Sequence, residues 1–307
     1  MNKLPKVSII VLNWNGLIDT KECLESLQNV MYENKEIIVV DNGSSDGSQE
    51  YIRQNYHDVI LLANNENLGF AEGNNKGIQI ALKNGADYIF LLNNDTIVDN
   101  DVILKLIEIT KTDVKIGFIG PKIYYYDEPI RIWSAGGKLS KWFIHSGGKH
   151  IGYRKIDRGQ FDYVKETDYV SGCAILIKKS VFEKIGLFDP QFFCYYEEAD
   201  LIIRSKQMGF KVIFVPKAKV WHKISSSFGA NTRKFIYFQI RNRLLFTFKH
   251  TSKSEWILFV PFFLLFVIPI QILKEVILRR NFLVFLPVFD GIADFFHSRF
   301  GQNLRDI

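Results

Sequence analysis

The sequence predicts an α/β protein built on a doubly wound, mostly parallel sheet and followed by a hydrophobic helical segment. Three observations predict it. Short β-branched runs end in Asn, Asp or Gly at Val7–Leu12, Glu36–Val40 and Tyr88–Leu92; stretches with helical spacing of apolar residues separate them; and Trp256–Leu273 runs 18 residues without a charge. Strands that alternate with helices at this spacing pair in parallel, and such a sheet binds ligands beyond the carboxyl ends of its strands.

Taken in order, Val7–Leu12, a helix over Asp19–Leu27 and the strand Glu36–Val40 form a first β-α-β unit. Asp46-Gly47-Ser48 opens a second helix through Tyr56, Val59–Leu62 is a short strand, and Glu72–Lys83 is helical before Tyr88–Leu92. From Tyr124 to Thr167 the character changes. Gly136-Gly137-Lys138 and Gly147-Gly148-Lys149 are near-repeats among aromatic and basic residues, which predicts a hairpin or flap, either for acceptor binding or as a surface excursion. A boundary near residue 225 separates a catalytic domain, 1–225, from a basic and hydrophobic helical region, 226–307.

In that second region Pro261 and Pro269 interrupt the apolar run, and a full membrane span needs about 20 residues. Arg241, Arg243, Lys249 and Lys253 precede it and Lys274, Arg279 and Arg280 follow, so charge gives no orientation. With the second apolar run, Phe282–Phe289, the expectation is a re-entrant or interfacial helical pair, the alternative being a docking or oligomer face.

At 307 residues and 47% hydrophobic the chain can bury a large core, which excludes disorder. Its net charge of +6 suits an anionic membrane surface or a phosphate-rich substrate. No helix-turn-helix, zinc-finger or RNP pattern is present, so nucleic acid is not an expected partner. Cys23, Cys173 and Cys194 lack CxxC spacing, which argues against a disulfide framework or zinc site and fits a reducing cytosol. The run Val7–Leu12 is too short for a signal sequence, so the catalytic part is expected inside the cell.

Two acidic sites carry the chemistry. Asn93-Asn94-Asp95 follows a buried strand, and Glu197-Glu198-Ala199-Asp200 packs three carboxylates into four positions. One can hold a cation on leaving phosphates while the other takes a proton. Asp200 and Arg204 are spaced for an ion pair on a helix that Glu197 and Glu198 begin, where the macrodipole favours acids. Asp41, in the strand-end turn Asp41-Asn42-Gly43, can accept from a pyrimidine imide or simply form an Asx-Gly turn. The stretch Asn64–Asn75 has glycines that permit tight backbone at a helix entrance, facing an anion or merely capping. His222, before Ser225-Ser226-Ser227, can complete a metal site begun by Asp95.

Together VSIIVLNWNG, VVDNGSSDGS, NLGFAEGNN, LLNND, SGC, FDPQFFCYYEEADLIIR and a WH before serines resemble glycosyltransferase family 2, in particular its rhamnosyltransferase-like bacterial members that build surface polysaccharides. The resemblance covers Val7 to Asn242. It implies a GT-A fold, a nucleotide-sugar donor (UDP- or dTDP-linked), a divalent cation (Mg²⁺ or Mn²⁺) and inversion at the anomeric carbon. By position, Asp95 and His222 would ligate the metal, Asp41 would read the base and Glu198 would be the catalytic base. The remaining candidate substrate contacts in these motifs are Asn13, Asn67, Gly69, Gly73, Asn74, Asn93, Gly172, Asp200 and Arg204.

Two departures stand out. Asn93 offers only a neutral amide in the metal motif, and Glu-Glu replaces the family's Glu-Asp, leaving Glu197 as a rival base. The implied acceptor is a glycan or polyprenyl-diphosphate-linked glycan at the cytoplasmic membrane surface. The competing readings are a catalytically weak membrane-bound scaffold, and a sugar nucleotidyltransferase, which would need a Gly-rich basic loop where Asn13-Trp14-Asn15-Gly16 stands.

Overall fold

The computed structural model describes residues 4–140, 147–224, 233–280 and 284–302; Ser225–Ser227 and the start of the Phe282–Phe289 run lie outside them. The first half alternates: β1 (Val7–Asn13), α1 (Leu17–Gln28), β2 (Lys35–Asp41), α2 (Ser48–Asn55), β3 (Val59–Ala63), α3 (Gly69–Lys83) and β4 (Tyr88–Asn93). Next come β5 (Thr96–Val98), α4 (Val102–Thr110), β6 (Ile116–Tyr125), β7 (Ile132–Ser134), β8 (Gly137–Ser140), β9 (Gly147–His150) and β10 (Lys165–Glu166). The chain continues through β11 (Ala174–Lys178), α5 (Lys179–Ile185), α6 (Glu197–Gln207), β12 (Lys211–His222), α7 (Arg233–His250), α8 (Lys253–Phe262), α9 (Ile268–Arg279) and α10 (Phe285–Phe296).

Among the described residues the main sheet runs β10-β12-β6-β11-β4-β1-β2-β3, with β5 on β12 and β7 on β6. β1 pairs in parallel with β2 and β4, whereas β11 is antiparallel to β4 and β6. Strand β1 lies mid-sheet and is covered on both faces, so Ile9, Ile10 and Val11 are wholly buried and no polar alternation is needed. One face packs Cys23, Leu24, Ile52 and Leu106 of α1, α2 and α4; the other packs Ile78, Val181 and Ile202 of α3, α5 and α6 together with Leu244 of α7. Helix α3 begins at Gly69, earlier than the apolar spacing suggests, because Asn67 Oδ1 accepts from Gly69 N at 2.8 Å and Gly69 enters at φ +78°.

The two glycine-lysine near-repeats pair with each other: β8 and β9 are antiparallel with Lys138 opposite Lys149. At the foot of this flap the buried Lys122 forms ion pairs with Asp157, at 2.8 Å, and with Asp162.

The C-terminal region corrects one expectation. Pro261 and Pro269 do not break the apolar run: Pro261 lies inside α8, Pro269 is in the first turn of α9, and a π-helical turn at Phe263–Val267 joins the two, leaving one helix over Lys253–Ile277. Arg241 and Arg243, two of the basic residues that precede that run, are buried within α7. Helix α10 packs on α7, with Tyr237 Oη donating to Asp294 Oδ2 at 2.9 Å.

Candidate active site

Strand ends β1, β4 and β11, the start of α6 and the flap enclose a cleft of about 470 Å³. Parallel register aligns Asn13 with Asp41, so the turns after β1 and β2 close its floor, and Asn93-Asn94-Asp95 enters from the end of β4. His222 arrives from far along the chain because β12 pairs with β5, setting His222 opposite Thr96. Its Nε2 lies 3.1 Å from Asp95 Oδ1, an ion-pair distance without the alignment of a hydrogen bond, so among the described residues that buried oxygen has no donor. Burial opposes the imidazolium, but Cys173 and then Asp95 outweigh it and push His222 up to about 10.

Glu197 and Glu198 open α6 and both line the cleft, Glu197 buried and Glu198 half-buried. Tyr169 Oη donates to Glu198 Oε1 at 2.6 Å, while Oε2 of each glutamate is without a hydrogen-bond partner among the described residues. Burial raises both carboxyls. Glu197 is lifted well above the usual range, by burial and then by the charge of Glu198; Glu198 is lifted by burial and drawn back by the Tyr169 hydrogen bond and the backbone amides.

Tyr169 is itself clamped by the flap. A Cβ on Gly148 would fall 2.4 Å from the Tyr169 ring, so the ring lies directly on that backbone. Trp133 and His150 of the flap complete this wall, their rings 4.2 Å apart, and burial followed by the nearby charge of His222 holds His150 down to about 4, hence neutral at pH 7.

Of the candidate contacts, Asn67, Gly69, Asn93 and Gly172 line the cleft with Asp95, His222, Glu197 and Glu198. Six others are engaged elsewhere. Asp41 is wholly buried and accepts from Asn13 Nδ2 (2.7 Å), Ser44 N (2.9 Å) and Gln49 Nε2 (2.7 Å), three of the roughly four bonds a carboxylate can accept. Asn13, also wholly buried, ties Asp41 to Thr20 and Asn94 and organises the strand-end turns. Gly73 admits close packing, since a Cβ there would sit 2.6 Å from Leu12 Cδ1, and Asn74 bonds back to Phe70 O within α3. Asp200 lies beneath the cleft, paired with Arg204 (2.8 Å), His250 (2.9 Å) and Lys249 (3.2 Å); Arg204 also donates to Ile185 O and Leu187 O. Burial raises Asp200, but the His250 hydrogen bond and the charges of Arg204 and Lys249 prevail and hold it at about 2.

Cleft residues not among the candidate contacts include Trp14 and Asn42, which stand within the strand-end motifs, and Trp133, His150, Tyr169 and Gln239, which stand outside the motifs. The aromatic enrichment between Tyr124 and Tyr169 was the available signal for three of them; Gln239, on α7, had none.

A mostly parallel sheet with two acidic sites gathered at its strand ends defines the class: a glycosyltransferase of the GT-A fold. The chain belongs to glycosyl transferase family 2, whose family model matches residues 8–186, more than half of the chain. It is similar to the low-salt glycan biosynthesis hexosyltransferase Agl10 of Haloferax volcanii, 27% identical over 82% of this chain and 78% of that one. It is also similar to poly-beta-1,6-N-acetyl-D-glucosamine synthase of Staphylococcus aureus, 28% identical over 75% of this chain, and spans about half, 52%, of that synthase. Among solved structures, the mannosyltransferase PcManGT of Pyrobaculum calidifontis, bound to GDP-Man and Mn²⁺, shares the fold with a TM-score of 0.56 at 14% identity, over 98% of this chain and 77% of that one.

Proposed function

We propose that the protein is an inverting, metal-dependent transferase that moves a hexosyl unit, rhamnosyl among the candidates, from a UDP- or dTDP-sugar to a hydroxyl of a glycan. The acceptor is lipid-linked, a polyprenyl diphosphate glycan at the cytoplasmic face of the membrane, and the product belongs to surface polysaccharide. Relatives named for glycan biosynthesis and polysaccharide synthesis support the substrate class.

The observation that carries the reading is the Tyr169–Glu198 hydrogen bond at the cleft wall. It fixes one carboxylate oxygen and leaves Oε2, buried and without a hydrogen-bond partner among the described residues, to take the proton of an acceptor hydroxyl bound against it as the hydroxyl oxygen attacks the anomeric carbon and the bond to the diphosphate breaks. Burial and the charge of Glu198 both raise the Glu197 carboxyl, which favours its protonated form. Trp133 and Tyr169, with the neutral ring of His150, give a sugar an apolar face to stack on and help exclude water.

Asp95 and His222 fit a divalent cation: Asp95 Oδ1 is buried without a hydrogen-bond donor, and a cation there would take the place of the proton that His222 shares with Asp95, leaving one carboxylate oxygen and one neutral imidazole as ligands. Among the described residues no group of three His, Cys, Asp or Glu gathers, so a cation held by Asp95 and His222 would need substrate phosphates and water to complete its shell. A cation bound there supplies charge neutralisation of the leaving diphosphate.

The helix Lys253–Ile277 supports membrane association. It is 25 residues, about 37 Å at 1.5 Å per residue, and only 22% of its apolar window is buried, whereas a core helix would be mostly covered. A thermal-shift panel of UDP- and dTDP-hexoses with and without Mn²⁺ tests the function, because a ligand raises stability only where it binds the folded state. Stabilisation that needs both nucleotide sugar and Mn²⁺ is expected; a panel with no shift overturns the proposal.

A further inference from the structure

The turn that delivers Glu197 and Glu198 to the cleft has an unusual shape. Phe193, Tyr195 and Tyr196 lie at φ +63°, +69° and +78°, a region L side chains rarely adopt. Backbone of this kind persists only where its surroundings over-determine it. Here the surroundings come from α7. Asn242 Nδ2 donates to Phe192 O (2.7 Å), Cys194 O (2.7 Å) and Tyr195 O (3.0 Å). Arg241 Nη2 donates to Gln191 O and Phe192 O, both at 3.0 Å, and its Nε donates to Asn242 Oδ1 at 2.9 Å, fixing which way that amide points.

Both side chains are wholly buried, and neither lines the cleft. Burying a guanidinium is unfavourable unless its donors are met, and here carbonyls of the turn meet them. The other end of the same guanidinium reaches past α10: Nη1 donates to Gly301 O at 2.8 Å. The grip therefore runs from the C-terminal helices, through α7, to the residues immediately before the two glutamates.

We infer that Arg241 and Asn242 are positioning residues: they hold the left-handed turn that aims Glu198 into the cleft, and so make the C-terminal helical region part of the active site as well as an anchor. The inference rests on the reading of Glu198 as the base. The fork of Arg241 is the functional feature, since a lysine supplies a point charge but cannot hold two carbonyls and the Asn242 amide at once.

The test uses the full chain carrying Asn242→Ala or, as the milder change, Arg241→Lys. Amide hydrogen exchange is followed by mass spectrometry, UDP and dTDP affinity is measured with Mn²⁺ by calorimetry, and turnover is measured with UDP- and dTDP-hexoses. The expected result is exchange in the 191–198 segment about tenfold faster with β1 and β4 unchanged. Turnover should fall roughly 10²-fold, the usual effect of displacing a catalytic group by about 1 Å, while nucleotide affinity stays within about threefold. Equal exchange in the turn of variant and wild type overturns the inference; so does loss spread evenly over the sheet, the turn and nucleotide affinity, which marks a merely structural role. If wild-type protein neither binds nucleotide nor turns over a donor, the transferase reading fails, and the exchange comparison still decides whether these side chains hold the turn.

Discussion

Replacing Tyr169 with Phe removes one hydroxyl and little else. The ring keeps its place against Gly148, so the flap and the wall of the cleft should stay as they are. What disappears is a 2.6 Å hydrogen bond to a carboxylate. Hydrogen bonds to charged groups contribute about 1.5–3 kcal/mol, and about 1.4 kcal/mol corresponds to one pKa unit, so the Glu198 carboxyl should rise by roughly one to two units. The sign follows from which form is stabilised. A hydroxyl donating to Glu198 favours the ionised carboxylate, so its loss raises a group that burial already raises, and a larger fraction is protonated at any pH below neutrality. The assay is kcat against pH for variant and wild type with saturating donor. The acid limb should move to higher pH by about one to two units, with plateau rates at alkaline pH much closer together. An acid limb at the same pH in both proteins would refute the reasoning and remove Tyr169 from the control of the base.

Three further outcomes are expected. Asp95→Ala should abolish Mn²⁺-dependent donor binding in calorimetric titrations and His222→Ala should weaken it; unchanged Mn²⁺ dependence in both contradicts the metal assignment. Asp200 is held at about 2 in the folded state, below its ordinary value of 3.8, so it contributes roughly 2 kcal/mol that is fully present above the unfolded value and is lost as pH falls through the folded one. Asp200→Asn should therefore lower the urea midpoint at pH 7, with the difference from wild type shrinking toward pH 2; a pH-independent gap would contradict this linkage. Finally, the full chain should float with vesicles containing anionic lipid, and Leu265→Glu combined with Ile270→Glu, at exposed apolar positions, should cut the bound fraction sharply. Equal flotation of both proteins would leave the apolar helix as something other than a lipid contact.

The β-α-β order was legible because its strands are short β-branched runs with Asn or Asp at their ends, and those local signals are the ones a parallel sheet obeys. The ion pair of Asp200 with Arg204 was legible for the same reason: four residues on one helix meet by geometry alone. The direction of a side chain was not. Asp41, Asn13 and Asn74 sit in motifs at strand ends and helix entrances, yet each turns inward to satisfy buried polar groups, which only the assembled turns reveal. The Gly-Gly-Lys near-repeats marked the β8–β9 pairing, but the packing of that flap on Tyr169 is a tertiary contact that they do not encode. The burial of Arg241 had no local sign either, because it depends on a turn about fifty residues upstream whose carbonyls take up its donors.

The central claim is direct displacement with Glu198 as the base, and time-resolved proton NMR of the anomeric signal during transfer tests it most directly. Wild-type protein with Mn²⁺ and the donor selected by thermal shift should give a product of inverted anomeric configuration. Glu198→Gln should bind that donor normally, give the same configuration and turn over roughly 10²–10⁴ times more slowly, with Glu197→Gln losing far less. A product of retained configuration, or a Glu198→Gln rate near that of wild type, would contradict the account.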